Sequence, residues 1–134
     1  MKDLYDTAEE NNIQVHDFKM KSVKSVSVPD HIGIDERKFD TRQELNTCLA
    51  HELGHCMTGS FYSVYCKFDT IERHEYRADR WAIEYCIPFD DLAELLQRGT
   101  TEIWSVAQYF EVTEELVKKA FVFYEEKLIN LQSA

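Results

Sequence analysis

No run of about 18 apolar residues occurs in this 134-residue chain, so the sequence offers no candidate membrane-spanning helix. Nor does an apolar stretch of signal-peptide length follow Met1-Lys2-Asp3-Leu4-Tyr5-Asp6, and the expected location is the cytoplasm. Positive charge is scarce. Fifteen Lys and Arg stand against 25 Asp and Glu, for a formal net charge of −10, and no basic patch is visible. That argues against bulk nucleic-acid binding and against an anionic membrane surface, both of which need clustered cations. The four cysteines, Cys48, Cys56, Cys66 and Cys86, form no C-x-x-C pair, and in a reducing cytosol they are expected as free thiols. No internal repeat, low-complexity tract or linker divides the chain. One domain over residues 1–134 is expected, with 1–88 carrying the chemistry and 89–134 a helical C-terminal subregion.

The hydrophobic pattern indicates an α+β fold. Leu4, Tyr5 and Ala8 at helical spacing predict a helix over 2–11, stopped by Asn11-Asn12. Ile13-Gln14-Val15, then Val23, Val26 and Val28, then Ile32-Gly33-Ile34 after Pro29-Asp30 read as short strands of a small antiparallel sheet. Thr41-Arg42-Gln43-Glu44 is a capping-box pattern that opens a helix, and Asp69-Thr70-Ile71-Glu72 is a second, whose helix should run to about Cys86 before Pro88. Between them lies an irregular Phe- and Tyr-rich stretch, 60–67. From Asp90 onward the pattern is helical, with pieces around Leu92, Leu95 and Leu96, over 103–110, and over 113–129.

The first of the two capped helices carries His51-Glu52-Leu53-Gly54-His55. Residues at i and i+4 share a helical face with Cβ atoms about 5–6 Å apart, so both imidazoles can address one ion. Glu52 sits beside them without taking a coordination position, which suits a carboxylate that exchanges protons with water near the metal. A catalytic zinc takes three protein ligands and leaves a position open, so a third donor is required. The H-E-x-x-H-x-x-G-x-x-H solution is excluded, because Thr58 and Phe61 occupy its Gly and His positions.

A glutamate from the following helix is the other solution. Glu75, Ala78, Asp79 and Ala82 share one face, the alanines would allow close helix approach, Glu75 could bind the ion, and Asp79 could accept the free N–H of a ligand histidine. Glu72 and His74 compete with Glu75, although His74 points about 100° away on an ideal helix. Cys48, on the same face as the motif, and Cys56, next to His55, are read as core or near-site thiols, since such sites are completed by His, Glu or Asp far more often than by Cys. Iron or manganese also suits two histidines and a carboxylate, but the H-E-x-x-H context favours zinc.

With His51-Glu52-Leu53-Gly54-His55, Glu75-x-x-Ala78-Asp79-x-Trp81-Ala82, Ile87-Pro88 and a short helical tail assembled, the chain resembles the ImmA/IrrE metallopeptidases over most of its length. The resemblance implies a zincin-like fold, His51, His55 and Glu75 on Zn2+, and Glu52 as general base. It also implies a protein substrate, of which a helix-turn-helix repressor serving a mobile element, such as a prophage, or a stress response is the type. Tyr62, Tyr65, His74, Tyr76 and Arg77 are candidates by position for the donor that a developing oxyanion requires.

Two further readings compete. A catalytically inactive, metal-stabilised module could act on a regulator by sequestration, and the short chain leaves little surface for a deep cleft. Residues 103–113 have the rhythm of a helix-turn-helix, but 89–134 hold nine acidic and four basic side chains, the wrong sign for contacting phosphates. These helices are expected to support packing and to offer a surface for recognising a substrate protein.

Overall fold

The computed structural model describes residues 3–133. Helix α1 (Leu4–Glu10) is capped by Asp3, whose carboxylate accepts the Tyr5 N–H, and it buries Leu4, Thr7 and Ala8. It ends where Asn11 leaves the helical region and Asn12 turns left-handed at φ 58°, one residue short of the expected end; Lys2 lies outside the described residues.

Strands β1 (Gln14–Asp17), β2 (Ser25–Val28) and β3 (His31–Ile34) form a sheet in the order β1-β3-β2. The expected all-antiparallel sheet is a mixed one. β2 and β3 form a hairpin through Pro29-Asp30, with Asp30 at φ 67°, whereas β1 pairs parallel to β3. The chain leaving β1 passes over the outer face of β3 at Gly33, where a Cβ would stand only 3.1 Å from the Phe18 ring. Alternation then sorts the faces. Ile32 and Ile34 are fully buried, Val26 and Val28 face outward, and Ser25 and Ser27 face helix α2.

Asp35 fixes the connection that delivers β2. Its buried carboxylate accepts the Met20 N–H at 3.0 Å and the Arg37 Nε–H at 3.0 Å, while its own N–H donates to the Lys24 carbonyl. The Met20 N–H is the main influence holding this carboxyl below its ordinary pKa; burial opposes it, and Arg37 assists. A depressed folded-state pKa stabilises the fold above the unfolded value of 3.8 and loses that contribution as pH falls through the folded value. Asp35→Asn should therefore lose stability at neutral pH relative to wild type, with the gap in melting temperature closing as both are taken well below pH 3.8. A gap unchanged at acid pH would show that the carboxylate's charge is immaterial.

Helix α2 (Arg42–Thr58) starts as the sequence predicts, with Thr41 Oγ1 accepting the Glu44 N–H at 3.1 Å. Glu44 reaches back one residue further than a capping box requires, to the Asp40 N–H. Helix α3 (Phe68–Cys86) begins before the expected Asp69 cap, on Lys67 and without a side-chain cap, and Asp69 turns instead to the Thr70 N–H. Helices α4 (Phe89–Gln97), α5 (Ile103–Phe110) and α6 (Glu114–Ser133) follow. Thr47 Oγ1 accepts the Thr113 N–H and Asn46 donates to the Glu111 carbonyl, so the turn before α6 is pinned to the start of α2.

The core joins Ile32 and Ile34 of the sheet, Leu49 and Leu53 of α2, Ala82 and Ile83 of α3, and Val106, Val117 and Phe123 of the last helices. Within it α2 and α3 nearly touch at Gly54. A Cβ there would lie 2.4 Å from the Ala78 carbonyl oxygen and 2.9 Å from its Cα. Fully buried Ala78 and Ala82 complete this small-residue seam, which sets how far Glu75 stands from the α2 histidines.

Candidate metal centre

Two turns of α2 and one of α3 bring three donors together. His51 Nε2 and His55 Nε2 are 3.2 Å apart, and Glu75 Oε2 lies 2.7 Å from the first and 3.5 Å from the second. One donor atom from each residue falls within 4.8 Å of the others, a group able to hold a metal ion. An ion such as zinc, with bonds of about 2.0–2.1 Å, has tetrahedral donors roughly 3.3 Å apart, so this spacing is compatible with a ligand set.

Proton placement leads to the same reading. His55 Nδ1 lies 2.6 Å from the Ser60 carbonyl oxygen, which can only accept, so Nδ1 carries the hydrogen and Nε2 presents a lone pair. His51 Nδ1 meets Asp79 Oδ1 at 2.8 Å. Burial acts to raise the Asp79 pKa, but the His51 hydrogen bond and the charges of His51 and Lys119 outweigh it and hold the carboxyl below its usual range. Asp79 is thus an acceptor, and when the His51 ring is neutral its Nε2 turns a lone pair toward Glu75. Three acceptors face one point, which suits a cation. In the metal-free chain a proton on His51 relieves part of the repulsion. Burial disfavours that proton, but the Asp79 hydrogen bond and the charges of Asp79, Glu75 and Glu52 raise the His51 pKa above its ordinary value.

Each donor is oriented from behind. Gly59 takes the left-handed conformation at φ 65° and ends α2, and the chain then folds back so that fully buried Ser60 reaches His55. Lys119 on α6 donates to Asp79 Oδ2 at 3.2 Å, tying the last helix to the His51 side. The Tyr62 hydroxyl donates to Glu75 Oε1, leaving Oε2 to face the two histidines. That hydrogen bond, with burial and the Glu75 charge, pushes the Tyr62 pKa up to about 12, so the phenol stays a donor.

Glu52 is buried beside this cluster. Ser25 Oγ donates to its Oε2 at 2.5 Å and Ser27 Oγ to its Oε1 at 2.8 Å, both from strand β2. These serines escaped the sequence reading; the only signal was their i, i+2 spacing on one strand face, which is commonplace. A cleft of about 410 Å3 opens over Glu52, His51, His55 and Glu75, with β2 as one wall and Phe61-Tyr62 as the other.

The remaining candidates fall elsewhere. Glu72 is exposed, and His74 stacks on the Tyr62 ring at 6.1 Å rather than joining the donors. Tyr65 and Tyr76 are 94% and 53% exposed and do not line the cleft; Arg77 is exposed as well. Cys48 Sγ contacts Ser25 Oγ at 2.9 Å and Cys56 Sγ the Val28 carbonyl, both outside the donor group. Burial pushes both thiols up, Cys56 to about 11, so neither offers a thiolate.

No helix among the described residues is long and apolar enough to cross a membrane. Comparison with curated proteins and with solved structures returned no match. A family model does match: the IrrE N-terminal-like domain, Peptidase_M78, aligns over residues 8–121, from the end of α1 into α6 and across every residue of the donor group. The chain therefore belongs to the ImmA/IrrE family of metallopeptidases.

Proposed function

We propose that the protein is a zinc-dependent endopeptidase of the cytoplasm that cuts a peptide bond in a protein substrate. The observation that carries this reading is the convergence of one ligand atom each from His51, His55 and Glu75 beside a buried carboxylate at the foot of an open cleft. His51, His55 and Glu75 are its ligands, Asp79 orients His51, and Glu52 is the general base.

Zinc held by these residues would supply a Lewis acid for the scissile carbonyl and make water acidic enough to be deprotonated near neutral pH. The chain supplies the rest. Glu52 takes the proton of the attacking water and delivers it to the departing amine, which leaves as a neutral group. β2 is an edge strand and walls the cleft, so an extended substrate segment can lie along it and place a carbonyl over the donor group. Tyr62 is the cleft hydroxyl nearest in kind to an oxyanion donor once it turns from Glu75.

The substrate suggested by family resemblance is a helix-turn-helix repressor. A chain of net charge −10 would favour the approach of such a basic protein. Zinc-loaded protein should convert a cognate repressor into two fragments, with cleavage stopped by a chelator. A repressor that stays intact in a stable complex would support sequestration instead. Elemental analysis comes first. One zinc per chain is expected, and Glu75→Ala should bind zinc at least about tenfold more weakly by chelator competition, since losing a ligand costs no less than losing an outer partner. Unchanged zinc in that variant would remove Glu75 from the set.

A further inference from the structure

The buried Glu52 carboxylate is held almost entirely from one place. Among the described residues its two hydrogen-bond partners are serines of β2, and each oxygen takes a different one. Ser25 and Ser27 are two residues apart, so their side chains leave the same strand face, and the Glu52 oxygens span the distance between them. β3 fixes the register of that strand through Ser25↔Ile34 and Ser27↔Ile32, whose isoleucines are fully buried. Cys48, one turn before Glu52 on α2, touches Ser25 as well and limits where its hydroxyl can go.

We infer that Ser25 and Ser27 are positioning residues for the general base: together they set the direction of the Glu52 carboxylate across the floor of the cleft. A carboxylate has about four lone-pair sites, and two hydroxyls use two of them, which leaves one on each oxygen for water. Without the serines the buried Glu52 side chain would lose these two hydrogen bonds and gain rotational freedom. The same strand offers its outer edge to the cleft, so the element that would seat a substrate also holds the base. Substrate position and base position are then referred to one rigid strand. This inference rests on the peptidase reading for its catalytic consequence, while the geometric part stands independently of any turnover.

A double-mutant cycle separates the two. Ser25→Ala and Ser27→Ala, singly and together, are compared in wild-type and Glu52→Ala backgrounds by denaturant unfolding of the zinc-loaded protein. The expected result is a lowered midpoint for the serine variants when Glu52 is present and a much smaller change when it is absent, with Ser→Thr restoring the wild-type midpoint. Equal shifts in both backgrounds would overturn the inference, because the serines would then be acting without Glu52. In hydrolysis of a cleaved repressor, Ser25→Ala/Ser27→Ala should lower kcat about 10- to 100-fold through misplacement of the base, with KM within about twofold. Threonine should restore kcat. Coupling in stability combined with an unchanged kcat would also overturn it. A wild-type protein that couples Ser25 and Ser27 to Glu52 but cleaves nothing would count against the peptidase reading, not against the geometry.

Discussion

Glu52→Gln is expected to yield a protein that folds, binds metal as tightly as the wild type and hydrolyses its substrate at least 100-fold more slowly. Glutamine has the shape of glutamate and keeps a carbonyl oxygen for one serine; the other hydroxyl can rotate to accept from the amide. Packing around position 52 is thus largely preserved. What the amide cannot do is take a proton from water, and general acid–base catalysis is worth about 10²–10⁴-fold. Since Glu52 is not among the three converging donors, the metal content of the variant should not change. Single-turnover cleavage alongside elemental analysis reads both properties, and full activity in Glu52→Gln would remove Glu52 from the proton-transfer role.

Gly54→Ala should have the opposite profile, with chemistry intact in principle but no place to perform it. The new methyl carbon would begin 2.4 Å from the Ala78 carbonyl oxygen, and backbone cannot rotate away as the end of a side chain can. α3 must move off α2. Overpacking a core costs about 1–3 kcal/mol, and a clash with backbone belongs at the top of that range. Glu75 and Asp79 flank Ala78 on the displaced helix and would be carried away from His51 and His55, so zinc affinity is expected to fall by more than the roughly 10- to 100-fold typical of losing an outer partner. Melting temperature and chelator competition measure the two effects. A variant with wild-type zinc affinity would mean that the helix seam does not govern the site.

Much of the donor set could be read in the sequence because it is local. His51, Glu52 and His55 lie on one helix, and Glu75 with Ala78, Asp79 and Ala82 on another, so helical periodicity alone sorts them onto facing sides. The seam had a legible half in the alanines, while Gly54 passed as part of the motif. The serines were different. Ser25 and Ser27 meet Glu52 across 27 and 25 residues of chain, and only strand register and the packing of α2 on β2 bring them together. β1 was legible as a strand but not in direction, since alternation looks the same in parallel and antiparallel pairs. Tyr62 stood among several aromatic candidates that only the fold of the stretch after Gly59 could separate.

The two histidines are anchored in unlike ways, with a consequence for how the protein can change over generations. His55 is oriented by the carbonyl of Ser60, a main-chain atom that every amino acid carries, whereas His51 depends on the Asp79 carboxylate, and Asp79 in turn on Lys119. Point mutation can delete the second anchor in one step and can disturb the first only by bending the chain. Drift toward a weakened or silent form would therefore enter on the His51 side, through codons 79 and 119, while His55 kept its aim.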